Sequence, residues 1–176
     1  MKLNASVFYF EESAFSGVKK IAEKVMKDIE LVTGKKPAKK ELNLTESSAG
    51  QIMDSLEEGA VVFGTVGMSE VLNQLEKEGS IDLSGVQGKR EVYLFKVMGN
   101  KLLIAGSDKR GTIYGLFHLS ELLGVSPLVD WCNIMPAKNK DAEICDTDSV
   151  LSKEPSVRFR GFFINDEWPA FGNWSK

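Results

Sequence analysis

The chain has 176 residues, of which 43% are hydrophobic and 27% charged, and a formal net charge of −3. That length builds one domain with a sizeable core, but not a domain plus a full eight-stranded barrel. The balanced charge supplies no basic field for nucleic acid, and no segment offers the ~20 consecutive apolar residues that span a bilayer.

Met1 to Glu12 holds an apolar run of only four residues before two acids, shorter than the ~7–15-residue core of a signal peptide. The expectation is a cytoplasmic protein, or else one whose export signal is missing from the sequence. Val7 to Phe10 predicts a short strand. Ala14, Val18, Ile21, Val25, Ile29 and Val32 then recur at spacings of three and four, the pattern of a long amphipathic helix with Lys19, Lys20, Glu23, Lys24 and Lys27 outside. Gly34 and Pro37 end it. The run Lys35 to Lys40 reads as a solvated loop, and Leu42 to Leu44 as a weak strand.

Ile52, Met53 and Leu56 suggest a short helix ended at Gly59. Ala60 to Gly64 is a continuous apolar run between glycines, expected as a central strand buried on both faces. Ser69 to Lys77 predicts a helix. Glu91 to Met98 and Lys101 to Ala105 predict two strands joined by Gly99-Asn100, both able to take positive φ in a tight hairpin. Thr112 to Leu123 predicts a third helix closed by Gly124. Pro127 to Trp131, Asp141 to Ile144 and Val150 to Leu151 read as extended. Cys132 and Cys145 flank these pieces and are expected to be reduced packing residues. The order gives an α/β fold, a mixed β-sheet with helices packed on it, over residues 1–152.

Residues 153–176 read differently. Val157 to Ile164 predicts a buried strand that runs into Asn165-Asp166-Glu167. A strand ending in carboxylates resembles the opening of a (β/α)8 barrel, where chemistry sits at the C-terminal strand tips. Adjacent residues of a strand face opposite ways, so Asp166 and Glu167 cannot act as one acid/base pair. A turn with a helix cap is the structural alternative for this cluster. Phe162, Phe163, Trp168, Phe171 and Trp174 crowd the region and suit either a core or sugar stacking.

One loop imitates a phosphate site. Gly106 and Gly111 have the right spacing, but Thr112 follows Gly111 directly, where a phosphate loop needs a lysine. Ser107 or Asp108 is expected instead to cap the helix. Gly111 and Gly115 are expected to let the helix lie close to its neighbour, and Arg110 to pair with an acid across a domain interface. His118, the only histidine, is expected to be a partly buried structural residue. No metal-ligand spacing and no Ser/His/acid triad is readable, and no cofactor is expected.

Two blocks together carry a family likeness. Ala105-Gly-Ser-Asp-Lys-Arg-Gly-Thr-Ile-Tyr-Gly-Leu-Phe-His-Leu-Ser-Glu-Leu-Leu-Gly-Val-Ser-Pro127 and Pro155-Ser-Val-Arg-Phe-Arg-Gly-Phe-Phe-Ile-Asn-Asp-Glu167 resemble glycoside hydrolase family 115, the xylan α-1,2-glucuronidases. The first resembles the end of that family's N-terminal α/β domain, and the second the entry into its barrel. Val129-Asp130-Trp131 also fits.

The resemblance implies a parent enzyme that removes (4-O-methyl)glucuronic acid from glucuronoxylan with inversion. Inversion needs two carboxyl groups ~6.5–9.5 Å apart, which the family draws from later barrel strands. This chain is thus expected to hold only the first strand of an absent (β/α)8 barrel, with no catalytic residue, and to be inactive alone. Asn165, Asp166 and Glu167 are the implied substrate contacts, Asp166 the preferred one, with Trp168 standing where the family often has a smaller residue. A homodimer is one option for the parent, and related enzymes are often exported. The alternative from another class is a carbohydrate-binding or interaction module without catalysis.

Overall fold

In the computed structural model, residues 1–43, 48–161 and 163 are described. Among them, six strands form one mixed sheet in the order β2-β1-β3-β5-β4-β6. The strands are β1 (Val7–Phe10), β2 (Ala38–Glu41), β3 (Ala60–Thr65), β4 (Tyr93–Met98), β5 (Lys101–Gly106) and β6 (Val150–Leu151). β1 runs parallel to β2 and β3, and β3 parallel to β5. β4 lies antiparallel to both β5 and β6.

Two-residue alternation assigns the apolar side chains to two cores. Phe8, Phe10, Val61, Phe63, Leu102 and Ile104 face α1 (Ser16–Thr33) and α4 (Lys109–Leu122). Val7, Tyr9, Ala60, Val62, Leu103 and Ala105 face α2 (Ala49–Ser55) and α3 (Glu70–Lys77). Every residue of β3 is buried, as expected of a parallel strand covered on both sides. Phe63 sits edge-on to Phe10 with ring centroids 5.0 Å apart.

Helix boundaries follow local chemistry. Ser48 and Gln51 form a reciprocal capping box on α2, Ser69 accepts from Leu72 N–H on α3, and Asp108 accepts from Gly111 N–H on α4 at 2.8 Å. Such caps satisfy amides that the helix leaves free. α1 ends at Gly34 with φ 80°, a conformation that glycine takes without a Cβ clash.

Several expectations are corrected. β2 lies at Ala38–Glu41, earlier than Leu42–Leu44, and all four of its residues are exposed. It is an edge strand, fixed by pairing Val7 to Phe10 with Ala38 to Glu41, so no apolar pattern marks it; its lysines also blunt the edge. The supposed loop Lys35–Lys40 therefore supplies much of a strand. Residues 129–132 form a short helix, α5 (Val129–Cys132), where an extended piece was expected. Of the Gly99-Asn100 pair, only Gly99 takes positive φ. Cys132 and Cys145 are free thiols, but both are exposed, one on α5 and the other at the cap of a 3-10 turn, so neither is the packing residue expected.

The expected buried strand from Val157 is not formed among the described residues. Residues 157–161 and 163 lie outside any ladder, and Phe159 is 87% exposed. A strand needs a neighbour for its N–H and C=O groups, and none is paired here. Ile164 lies outside the described residues.

Candidate functional site

Open α/β sheets bind ligands beyond the carboxyl ends of their parallel strands, at the point where the strand order reverses. Here that point lies between β1 and β3. A crevice of about 360 Å3 opens there, lined by Glu11, Glu12, Ser13, Leu42, Asn43 and Glu70. Glu11 follows β1 directly and is 5% exposed. Its Oε1 accepts from Val71 N–H at the start of α3, 3.1 Å away. The carboxylate thus fills the helix N-terminus that would otherwise attract an anion. Three glutamates along the crevice give it the wrong sign for phosphate or for a uronate.

Burial pushes the Glu11 carboxyl above its usual range, against the opposing hydrogen bonds from α3. A carboxyl raised in this way binds its proton more tightly folded than unfolded. Its contribution to stability is therefore greatest at low pH and is lost as pH rises through the folded-state value. Glu11→Gln keeps an acceptor for Val71 and removes the buried charge. The variant is expected to melt above wild type at pH 8 and level with it at pH 4; a lower midpoint at pH 8 would show that the charge itself stabilises α3.

The glycine turn after β5 closes on itself. A Cβ at Gly106 would stand 2.0 Å from Thr112 N, and one at Gly111 2.3 Å from Val92 O. Thr112 Oγ1 donates to Gly64 O at 3.1 Å and lies 2.7 Å from Thr65 Oγ1. Asp108 occupies the start of α4. No cradle for a phosphate remains, in keeping with the missing lysine. Gly111 and Gly115 make the close approaches expected of them, Gly115 against Ile104 and Tyr93.

His118 is structural. Its ring stands edge-on to Phe95 at 5.0 Å, and its side chain is 19% exposed. It borders a groove of about 520 Å3 between α1 and α4, with Tyr93, Tyr114, Phe117 and Val129 among the walls. Asp28 lies in the same groove and accepts from Ser120 Oγ at 2.8 Å; burial raises its carboxyl too.

Arg110 pairs with an acid, but not across a domain interface as expected: the acid is Glu91 of this domain, at 2.8 Å. Arg160, from the segment after β6, reaches the other oxygen of the same carboxylate. The two guanidinium groups, Arg160 first, hold the Glu91 carboxyl below its usual range. Nothing local marks this meeting, which joins positions 19 and 69 residues apart. Asp28 did leave a signal: it follows Val25 by three and precedes Val32 by four, so it falls on the apolar stripe of α1. The expected substrate contacts Asn165, Asp166 and Glu167 lie outside the described residues, as do Trp168, Phe171 and Trp174.

No helix among the described residues is long and apolar enough to cross a membrane. No protein-family model matches the chain, and no curated protein matches it in sequence. Among solved structures it is similar to a GH115 4-O-methyl-α-glucuronidase, BtGH115A, described as specific for decorated arabinogalactans. The TM-score is 0.72 at 26% identity, over 96% of this chain and 20% of that one. Two further structures are more distant: CpGH84D, with TM-score 0.46 and 16% identity over 68% of this chain and 18% of that one, and CpGH84B, with 0.42 and 21% over 69% and 17%. The chain thus spans a fifth of the length of the GH115 enzyme. Its mixed α/β architecture is that of a GH115-like N-terminal domain, of glycoside hydrolase-like origin.

Proposed function

We propose that these residues are the non-catalytic N-terminal domain of an inverting α-glucuronidase that removes (4-O-methyl)glucuronic acid side chains from xylan. The observation that carries the reading is the match to a GH115 enzyme over 96% of this chain. The buried carboxylates support it from another side. Glu11 caps α3, Asp28 holds Ser120, and Glu91 holds two arginines. Each is engaged by backbone or side chains of the fold. By the family likeness, the acid and base belong to later barrel strands, and Asn165, Asp166 and Glu167 contact the sugar at its edge, Asp166 foremost. The solved relative's specificity makes decorated arabinogalactan the second polysaccharide to try.

Incubation of the 176-residue chain with glucuronoxylan and with decorated arabinogalactan is expected to release no uronic acid above the buffer control. Release by this chain would refute the assignment of catalysis to residues elsewhere.

A further inference from the structure

We infer that Glu91 is a latch through which this domain fixes the path of the polypeptide leaving its last strand. Three observations meet at this residue. First, its backbone takes φ 59°, a left-handed conformation uncommon for a residue with a side chain. Strain of this kind persists where the surroundings over-determine it and points towards a task. Here Glu91 N–H donates to Asp108 Oδ2 at 2.9 Å, and the neighbouring Val92 N–H to Ser107 Oγ at 3.0 Å. The strained residue is thus tied to the cap of α4.

Second, its side chain is only 3% exposed, yet it takes two guanidinium groups from different parts of the chain. Arg110 by itself balances the buried charge from within the domain. Arg160 brings a second guanidinium to that charge, and with it a tie between the domain and the segment after β6. Its Nη1 also donates to Val157 O at 2.7 Å, which folds the segment around the guanidinium.

Third, this tie is the last of a series. Tyr93 N–H donates to Ser152 Oγ at 2.8 Å, and Ser152 N–H to Tyr93 O at 2.9 Å. Arg90 Nη2 donates to Pro155 O at 2.8 Å. Ser152, Pro155 and Arg160 are therefore pinned in turn to the stretch Arg90–Tyr93. Between and beyond the pins, Val157, Phe159 and Phe163 face outward. A segment with so little apolar burial is steered by polar contacts, and the carboxylate of Glu91 is the strongest of them. In the enzyme proposed above, the latch sets the direction in which the catalytic part departs. The geometry itself does not depend on that reading, and the test below uses the 176-residue chain alone, so the two fail separately.

Trypsin must draw an arginine side chain into its own pocket. Arg158 stands beside Phe159, 87% exposed, and serves as a reference two residues away. Limited digestion of wild type and Glu91→Gln should be followed by mass spectrometry, reading the ratio of cleavage after Arg160 to cleavage after Arg158. The ratio is expected to rise on the order of tenfold or more in the variant, because cleavage at a held site tracks the population of its open form. An unchanged ratio overturns the proposal. Should Glu91→Gln fail to fold, phenylglyoxal modification of wild type decides: Arg160 reacting well below Arg158 supports the latch, and equal reactivity overturns it.

Discussion

Phe63→Ala is expected to destabilise the domain by about 3–5 kcal/mol, the range for removing a buried phenyl ring. In a chain of this length that lowers Tm by roughly 6–20 °C. Phe63 is fully buried in β3. It meets Phe10 edge-on at 5.0 Å and Phe8 at 6.3 Å, so the cavity would open between two neighbouring strands and under both α1 and α4. Rigid neighbours cannot collapse into the gap, which places the loss towards the upper end of the range. Urea unfolding followed by circular dichroism measures it. A loss below about 1 kcal/mol would mean that this face of the sheet is loosely packed.

Gly106→Ala is expected to be nearly as damaging for the opposite reason. The new methyl would stand 2.0 Å from Thr112 N and 2.5 Å from Thr112 Cα. Backbone has to move, since two of the three nearest atoms are backbone and the third, Thr112 Oγ1 at 2.3 Å, is held on a short side chain. Moving α4 outward breaks the buried contacts of Thr112 with Gly64 and Thr65 and strains the Asp108 cap. The cost is expected at or above the ~3 kcal/mol upper end usual for overpacking. Gly34→Ala is the control. No atom lies within 4 Å of its Cβ position, and only the φ of 80° resists, for about 1–2 kcal/mol. The order of the two midpoints, from thermal scans under one buffer, checks the argument; a smaller loss at Gly106 than at Gly34 would contradict it.

The sheet and its helices were legible because burial on both faces leaves a strong mark. Val61, Phe63, Leu102 and Ile104 are apolar for one core, and Val62 and Leu103 for the other. β2 was misplaced because an exposed edge strand of Ala, Lys, Lys and Glu carries no such mark; only its pairing with β1 defines it. α5 was missed because four residues are too few for a helical period to show.

The candidate site divides in the same way. The turn at Gly106–Thr112 could be recognised as a helix cap from one absent lysine, a local fact. The meeting of Glu91, Arg110 and Arg160 could not, because it depends on how three distant segments are brought together. Asp28 lay between these extremes: its place on the apolar stripe of α1 was visible, its partner Ser120 on α4 was not. For the proposed sugar contacts Asn165, Asp166 and Glu167, the reading still rests on the resemblance of the segment that contains them.

The most direct measurement is an assay of the enzyme proposed above, with these residues at its start, against 4-O-methylglucuronoxylan, with the anomeric form of the released sugar followed by proton NMR. Release of 4-O-methylglucuronic acid with inverted configuration is expected, from a protein in which residues 1–152 keep the fold described above. A longer polypeptide that leaves both glucuronoxylan and decorated arabinogalactan untouched, or one that retains configuration, would contradict it.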